Sequence, residues 1–231
     1  MSATANNARF CCLALETATQ RGSVAACIDD AVFTVHLDDS SGSSRRIYQA
    51  IQEALNRASL QRGDLQCIAF GNGPGSFTGV RVATSVAQAL AYALDVPVIP
   101  VSTLAAVAVE AGRSRGMEPV AVCLDARMGE VYTGVYRFAA DGTAEAILTD
   151  RLADPATFSL EDYSGAFAAG PGWEAYPDLL AANAGYIAGQ ATDIWPGAAA
   201  VAVEARELFR QGRTVVAHDA LPNYIRNNVT Y

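Results

Sequence analysis

The sequence predicts a mixed α/β fold made by duplicating one unit, and three observations carry that prediction. A short apolar strand closes on an acid in each half, at Glu16 after Phe10 to Leu15 and at Asp125 after Val120 to Leu124. Two further strand-like runs follow each of these across turns. Between Leu65 and Leu94 the order is strand, glycine loop, helix, which alternates as α/β units do.

Taken in chain order, Phe10 to Leu15, Gly22 to Ile28 and Val32 to Leu37 read as an antiparallel meander, because apolar runs of strand length are parted by turns rich in Asp or Gly. From Ser44 onward Ile47, Ile51, Leu55 and Ala58 recur at helical spacing, with Ser43 or Ser44 placed to cap the first amides. Leu65 to Phe70 reads as a buried strand, GNGPGSFTG at Gly71 to Gly79 as a loop, and Val80 to Leu94 as a helix without internal Gly or Pro. Val96 to Val101 is another strand, after which Ser102 or Thr103 can cap a helix running toward Arg113. The second half repeats the opening: Val120 to Leu124, Glu130 to Phe138, then Ala144 to Leu148 beyond the Asp141-Gly142 turn. Past Thr149, Pro155, GPGW at Gly170 to Trp173 and Pro196-Gly197 leave a region expected to be dominated by loops. Ala198 to Gln211 is the last helix, ended by Gly212. The expected division is residues 1–103 as a first lobe and 104–231 as a second, smaller and loop-rich lobe, helix 198–211 having the option of packing back on the first.

At 231 residues and 51% hydrophobic, the chain can bury a substantial core without metals or disulfides. Its net charge of -8 argues against gripping a phosphate backbone unaided, so any RNA contact is expected to belong to a partner. Cys11, Cys12, Cys27, Cys67 and Cys123 lie in apolar runs with no Cys-x-x-Cys pair and read as buried free thiols. No segment approaches the ~20 uninterrupted apolar residues of a membrane span, and no basic stretch leads into a long apolar run at the start, so a cytoplasmic location without membrane contact is expected.

A glycine loop between strand and helix commonly binds anions through its amides and the helix dipole. A P-loop would need Lys then Ser or Thr after its second Gly, and a dinucleotide fingerprint a third Gly where Thr78 stands, so neither motif is satisfied. The competing reading is that Gly73, Pro74 and Gly75 make a tight turn and Ser76 or Thr78 caps the next helix. Ala83, Thr84, Ala87 and Ala91 are small residues at helical spacing that suit close helix packing, inside the chain or across an interface. Glu16 and Asp125 are read either as acids facing an interlobe cleft, where magnesium would need oxygen ligands, or as local hydrogen-bond acceptors. His36 and His218 are too far apart in sequence for a local metal pair, HExxH is absent, and Ser76 lacks the G-x-S-x-G setting of a serine hydrolase. Metal-dependent hydrolysis is therefore set aside. Arg81 and Arg127 are the cations nearest the loops.

LALETAT at Leu13 to Thr19, GNGPGSFTGVR at Gly71 to Arg81, PVSTL at Pro100 to Leu104, LDARMGEVY at Leu124 to Tyr132 and NYIRNN at Asn223 to Asn228 together resemble the TsaB family, also called YeaZ, over nearly the whole chain. The resemblance implies a two-lobed duplicated fold of the actin, sugar kinase and Hsp70 (ASKHA) class, mixed sheets flanked by helices. It implies a non-catalytic scaffold or activator that binds the transferase TsaD, with TsaE contributing ATPase activity, for threonylcarbamoylation of the adenosine beside the anticodon of tRNA. TsaD holds its metal by a histidine pair in the early helix, and Ser44 to Ala58 contains no histidine, so no metal is expected here. No cofactor is expected on this chain alone, while ATP or ADP with magnesium is left open for the complex. The family's pairing through early helices makes Ile47, Tyr48, Ile51, Val80, Ala83, Thr84, Ala87 and Ala91 partner-interface candidates and makes the isolated chain a homodimer. Glu16, Gly73, Gly75, Ser76, Asp125 and Arg127 are what remains of a nucleotide site. Three residues depart from the family: Glu16 stands where Asp is usual, Asn72 where Arg is common, and Ser43 near a position often occupied by His. An ATP-binding or ATP-hydrolysing enzyme of the sugar-kinase type is the alternative function, and a glycoprotein protease a weaker one.

Overall fold

The computed structural model describes residues 9–37, 43–112 and 119–226, with side chains described from residue 46 onward in the first helix. Capping by Ser43 or Ser44, and the departure at Ser43, lie outside the described side chains, and Asn227 and Asn228 outside the described residues.

Two five-stranded sheets share one topology. In the first, β1 (Cys11–Glu16), β2 (Ser23–Ile28) and β3 (Ala31–His36) form the antiparallel meander, and β4 (Cys67–Gly71) and β5 (Val98–Val101) extend it in parallel from β1, giving the order β3-β2-β1-β4-β5. In the second, β6 (Val120–Arg127), β7 (Glu130–Phe138) and β8 (Ala144–Ala153) are the meander, and β9 (Ala166–Ala169) and β10 (Ile187–Ala191) extend it from β6, giving β10-β9-β6-β7-β8. Reversed, the second order is the first with each strand number raised by five. Duplication is thus visible strand by strand, and the fold is the two-lobed ASKHA-like α/β class.

Strand alternation distributes the sequence over five layers. Leu13, Leu15, Val24, Ala26, Ile68 and Phe70 face α1 (Ser43–Arg57) and α2 (Phe77–Leu94) on the outside of the first sheet. Their strand neighbours Cys12, Ala14, Ala25, Cys27, Cys67 and Ala69 face α6 (Ala198–Arg210) on its inside. A strand buried on both faces reads as an unbroken apolar run, which is why CCLAL shows no alternation in the sequence. Next comes α3 (Thr103–Gly112), whose Ala106 and Val109 join the α6 layer while Leu104, Val107 and Ala108 pack on Val120, Val122 and Phe167 of the second sheet. On the far side Cys123, Val135 and Ala168 pack against Trp173 of α4 (Gly172–Ala175) and Leu179 of α5 (Pro177–Asn183). Trp173 is fully buried and its indole N–H donates to the Ala121 carbonyl at 3.0 Å.

All five cysteines are buried and free. No helix among the described residues is long and apolar enough to cross a membrane. The end of α6 is closed by Gly212 at φ +70°, which lets the amides of Gly212 and Arg213 reach back to Phe209 and Leu208. Beyond Thr149 the expectation of loops is corrected: β8 continues to Ala153, and β9, β10, α4 and α5 follow. These elements are only four to seven residues long, too short for a helical or strand period to show.

One polar knot joins the lobes. Ser102 Oγ accepts from the amides of Leu104 and Ala105, both at 3.1 Å, capping α3, and donates to Asp150 Oδ2 at 2.5 Å. The Tyr136 hydroxyl donates to the other Asp150 oxygen. Burial pushes the Asp150 carboxyl above its ordinary range although both hydroxyls hold it down. Replacing Ser102 with Ala deletes the cap and one of two donors to a half-buried acid. It should lower unfolding free energy by about 2 kcal/mol in urea titrations, with Ser102→Thr recovering most of the loss.

Candidate functional site

A cavity of about 600 Å³ lies between the lobes, a volume usual for small-molecule sites. Two loops in equivalent places frame it. After β4 come Gly73, Pro74 and Gly75; after β9, the fourth strand of the second unit, come Gly170, Pro171 and Gly172. Gly73 and Gly170 have nearly the same φ, +102° and +104°. This Gly-Pro-Gly repeat was present in the sequence, and its position after the fourth strand of each half was the signal that could have identified β9.

The glycines of the first loop are explained by contact with the end of β1. A Cβ on Gly71 would sit 1.9 Å from Glu16 Oε2, and one on Gly79 1.8 Å from the Thr17 carbonyl oxygen. Thr17 Oγ1 in turn donates to the Gly79 carbonyl at 2.6 Å. The loop amides turn inward as well. Asn72 N–H donates to the Val101 carbonyl, Gly73 N–H to Thr103 Oγ1 and Ser76 N–H to the Ala18 carbonyl. Ser76 Oγ accepts from Gly79 N–H at 3.4 Å, so it caps α2, and the helix begins at Phe77, three residues before the expected Val80. Of the two readings open for this loop, the tight turn and cap describes it. An anion cradle would need these amides free.

Glu16 does not face the cleft. Its side chain is fully buried, Oε1 accepts from Ala18 N–H at 2.6 Å and Oε2 from the Thr103 hydroxyl at 3.1 Å. The reading of Glu16 as a cleft acid is corrected: a glutamate is long enough to reach under Gly71, where no side chain excludes it. Asp125, its counterpart, does line the cleft, but its Oδ1 accepts from Arg127 N–H and the Tyr176 hydroxyl, and Oδ2 pairs with Arg127 at 3.1 Å. The cleft therefore brings together Gly75, Ser76, Asp125 and Arg127, without Glu16. The amides of Asn72, Gly73, Ser76 and Gly79 and the carboxylate oxygens of Glu16 and Asp125 are all engaged within the chain. Among the described residues no cluster of His, Cys, Asp and Glu is arranged to hold a metal ion.

The interface candidates are also corrected. Ile47, Ile51, Val80, Ala83, Thr84, Ala87 and Ala91 are all buried within this chain; Ile47, Ile51, Ala83, Ala87 and Ala91 pack in the core on the outside of the first sheet, and Val80 lies against the cleft. Small residues let α2 lie close on β4; they are not offered to a partner. Only Tyr48 is on the surface, 52% exposed. The outward face of α2 instead carries Arg81, Ser85, Ala89 and Tyr92, spaced four, four and three residues apart, with Tyr92 85% exposed.

Sequence reasoning missed a further part of the cleft, residues 223–226, which line it together with Trp195. NYIR, read in the sequence only as part of a family motif, offers no period and no catalytic residue type, so nothing local placed it at the cleft.

Burial raises the Glu16 carboxyl from 4.5 to about 7, despite the bonds from Ala18 and Thr103 that favour its charged form. The folded state then keeps a proton that the unfolded chain releases near 4.5. The contribution of Glu16 to stability is therefore fully present below about 4.5 and is lost as pH rises toward 7, by on the order of 3 kcal/mol. Glu204, buried and also raised to about 7, acts in the same direction. Glu16→Gln should therefore flatten, without abolishing, the fall in melting temperature between pH 5 and pH 8. Gly71→Ala should cost about 2 to 3 kcal/mol through the clash with Glu16, and Glu16→Asp, shorter by about 1.5 Å, should recover part of it in the double variant.

Comparison with known proteins agrees with this architecture. The family profile for TsaD, tRNA N6-adenosine threonylcarbamoyltransferase, matches residues 39–230. The chain is 35% identical over 223 residues to the tRNA threonylcarbamoyladenosine biosynthesis protein TsaB of Escherichia coli (strain K12), covering 95% of this chain and 96% of that protein. It is 34% identical over 228 residues to the TsaB of Haemophilus influenzae (strain ATCC 51907 / DSM 11121 / KW20 / Rd), covering 95% and 94%. Among solved structures, YeaZ from Pseudomonas aeruginosa superposes with a TM-score of 0.84 at 32% identity, covering 93% of this chain and 99% of that one. With that identity sustained along nearly its whole length and the same fold in a solved relative, the chain belongs to the TsaB (YeaZ) family of tRNA threonylcarbamoyladenosine biosynthesis proteins.

Proposed function

We propose that this chain is a non-catalytic subunit that binds TsaD and activates it, working with TsaE in the cytoplasm to threonylcarbamoylate the adenosine beside the anticodon of tRNA. The observation that carries the reading is the turning of Glu16 out of the cleft, which leaves its counterpart Asp125, held by Arg127 and Tyr176, facing the cleft without it. The family names bring the pathway. Its acidic charge leaves tRNA binding to the partners.

The partner-facing surface is the outer face of α2, where Ser85 and Ala89 make a shallow strip between Arg81 and Tyr92, together with Tyr48 on α1 and Leu221, 63% exposed, beside α2. Exposed aromatic and apolar side chains around small residues suit helix-on-helix docking. In the isolated protein the same face pairs with a second copy. ATP or ADP with magnesium enters only with TsaD.

The alternative, an ATP-binding or ATP-hydrolysing enzyme of the sugar-kinase type, rests on the interlobe cavity. Calorimetry with ATP and magnesium decides it, and heat of stoichiometric binding to the isolated chain would favour it. The leading reading is tested by reconstitution. The chain alone should form no threonylcarbamoyladenosine on tRNA, TsaD with TsaE should be nearly inactive, and adding the chain should restore the product. Full activity of TsaD and TsaE without it would refute the reading. Ala89→Arg should abolish capture of TsaD and yield monomers by light scattering while leaving the melting temperature within a few degrees. Ala87→Arg, by contrast, should unfold the protein, because that site is fully buried.

A further inference from the structure

We propose that residues 223–226 are an interlobe latch, Tyr224 engaging the first lobe and Arg226 the second, and that their engagement sets how tightly the cleft is closed. The inference does not depend on which partner the chain binds.

The segment arrives at the cleft already anchored. After α6 the chain pairs with the edge of the first sheet through Val215 and Val98, each donating to the other's carbonyl at 2.8 Å. A turn at Ala217–Asp219 follows, with Ala220 fully buried and its carbonyl accepting from Gln88 Nε2 of α2 at 2.9 Å. Asn223 N–H then donates to the Asn72 carbonyl of the glycine loop at 2.7 Å, and its own carbonyl lies close over Gly73.

The Tyr224 hydroxyl accepts from Arg81 Nε at 2.8 Å. The Arg81 guanidinium lies 3.4 Å from the centre of the Phe77 ring, and the Phe77 and Tyr224 rings are 6.2 Å apart. This contact grips the first turn of α2, the turn that the glycine loop leads into. Arg226 reaches across to the second lobe. Its Nη2 donates to Glu130 Oε2 at 2.6 Å and to the Arg127 carbonyl at 3.2 Å, and Nη1 donates to Met128 Sδ at 3.0 Å. The side chain is only 12% exposed.

The β6–β7 hairpin is the place where such a grip matters. Arg127, Met128 and Gly129 all have left-handed backbones, φ 64°, 57° and 77°. Two of these, Arg127 and Met128, are bulky residues in a conformation that L side chains rarely adopt. A buried guanidinium that bonds the carbonyl, the thioether and the flanking carboxylate of this hairpin offsets that strain. The described hydrogen bonds of the hairpin run within it, to Tyr176 and to Arg226; those of the glycine loop run within it and to the ends of β1 and β5, the start of α3 and Asn223. Among these bonds, residues 223–226 are what the glycine loop and the β6–β7 hairpin have in common.

Hydrogen exchange on the full chain tests the latch. Arg226→Ala should speed exchange roughly tenfold in residues 125–130 and also in residues 71–79, which Arg226 does not touch, while α6 stays protected. Arg226→Lys, which keeps the charge and loses the fork, should fall between. Tyr224→Phe, which deletes one hydroxyl and keeps the ring, should speed exchange in the hairpin of the opposite lobe. Acceleration confined to the loop next to each substitution, or no acceleration in either, would overturn the proposal. Should Arg226→Ala loosen the whole chain, the effect of Tyr224→Phe on residues 125–130 alone decides.

Discussion

The close seating of the Gly71 to Gly79 loop on the end of β1 is the contact from which the rest of this structure follows. Glu16 lies under Gly71, the Thr17 carbonyl under Gly79, and the Ala18 carbonyl accepts the Ser76 amide. No residue larger than glycine fits at the first two points. Once seated, the loop fixes the start of α2 through the Ser76 cap, and Glu16 reaches the start of α3 through Thr103. One buried carboxyl therefore ties together β1, the glycine loop and the helix that separates the two sheets. A buried acid is an expensive way to do this, since the charged form must lose its hydration. The protein meets that cost by raising the carboxyl to about 7 and satisfying both oxygens.

The second lobe repeats the scheme with the acid left outside. Asp125 ends β6 as Glu16 ends β1, and the Gly170-Pro171-Gly172 turn follows the fourth strand as Gly73-Pro74-Gly75 does. A Cβ on Gly172 would meet Cys123 at 2.6 Å, so this loop too is seated on the strand that carries the acid. The copies differ in what comes next. The first launches the 18 residues of α2, the second the four of α4. A long helix has both a buried and an exposed face, whereas a single turn has little of either. The duplicated unit therefore presents a helical surface on one lobe only, and that asymmetry gives the first lobe the broad outward face.

Much of the fold was legible in the sequence because its long elements carry long signals. The meander of β1 to β3 is marked by turns, α2 by a run free of Gly and Pro, and α6 by Gly212. The short elements beyond Thr149 were not legible, since a strand such as Ala166–Ala169 spans barely two alternations and is apolar throughout. The candidate site was legible as a place and not as geometry. GNGPGSFTG and Asp125 pointed to the cleft, but the direction of the Glu16 side chain depends on a glycine 55 positions away in the chain. The face of α2 failed for a related reason. Its small residues suit close packing in either direction, and only the presence of Phe70 and Ile68 beneath the helix decides that they point inward.

The inward acid and the strap of residues 223–226 complement each other. With Glu16 turned away from the cleft, the contacts that join the lobes there are made by other side chains. Ser102 with Asp150 supplies one such contact, where β5 leads into α3. Tyr224 and Arg226 supply another, between the first turn of α2 and the β6–β7 hairpin. The second is also attached to the base of α2 through Arg81, a residue that belongs both to the cleft-facing cluster and to the exposed face of that helix. A partner docking on that face would meet a helix whose first turn is already held by the closed cleft. The energy of ordering the turn is then supplied within the chain before association, which is how preorganisation strengthens binding without adding a contact.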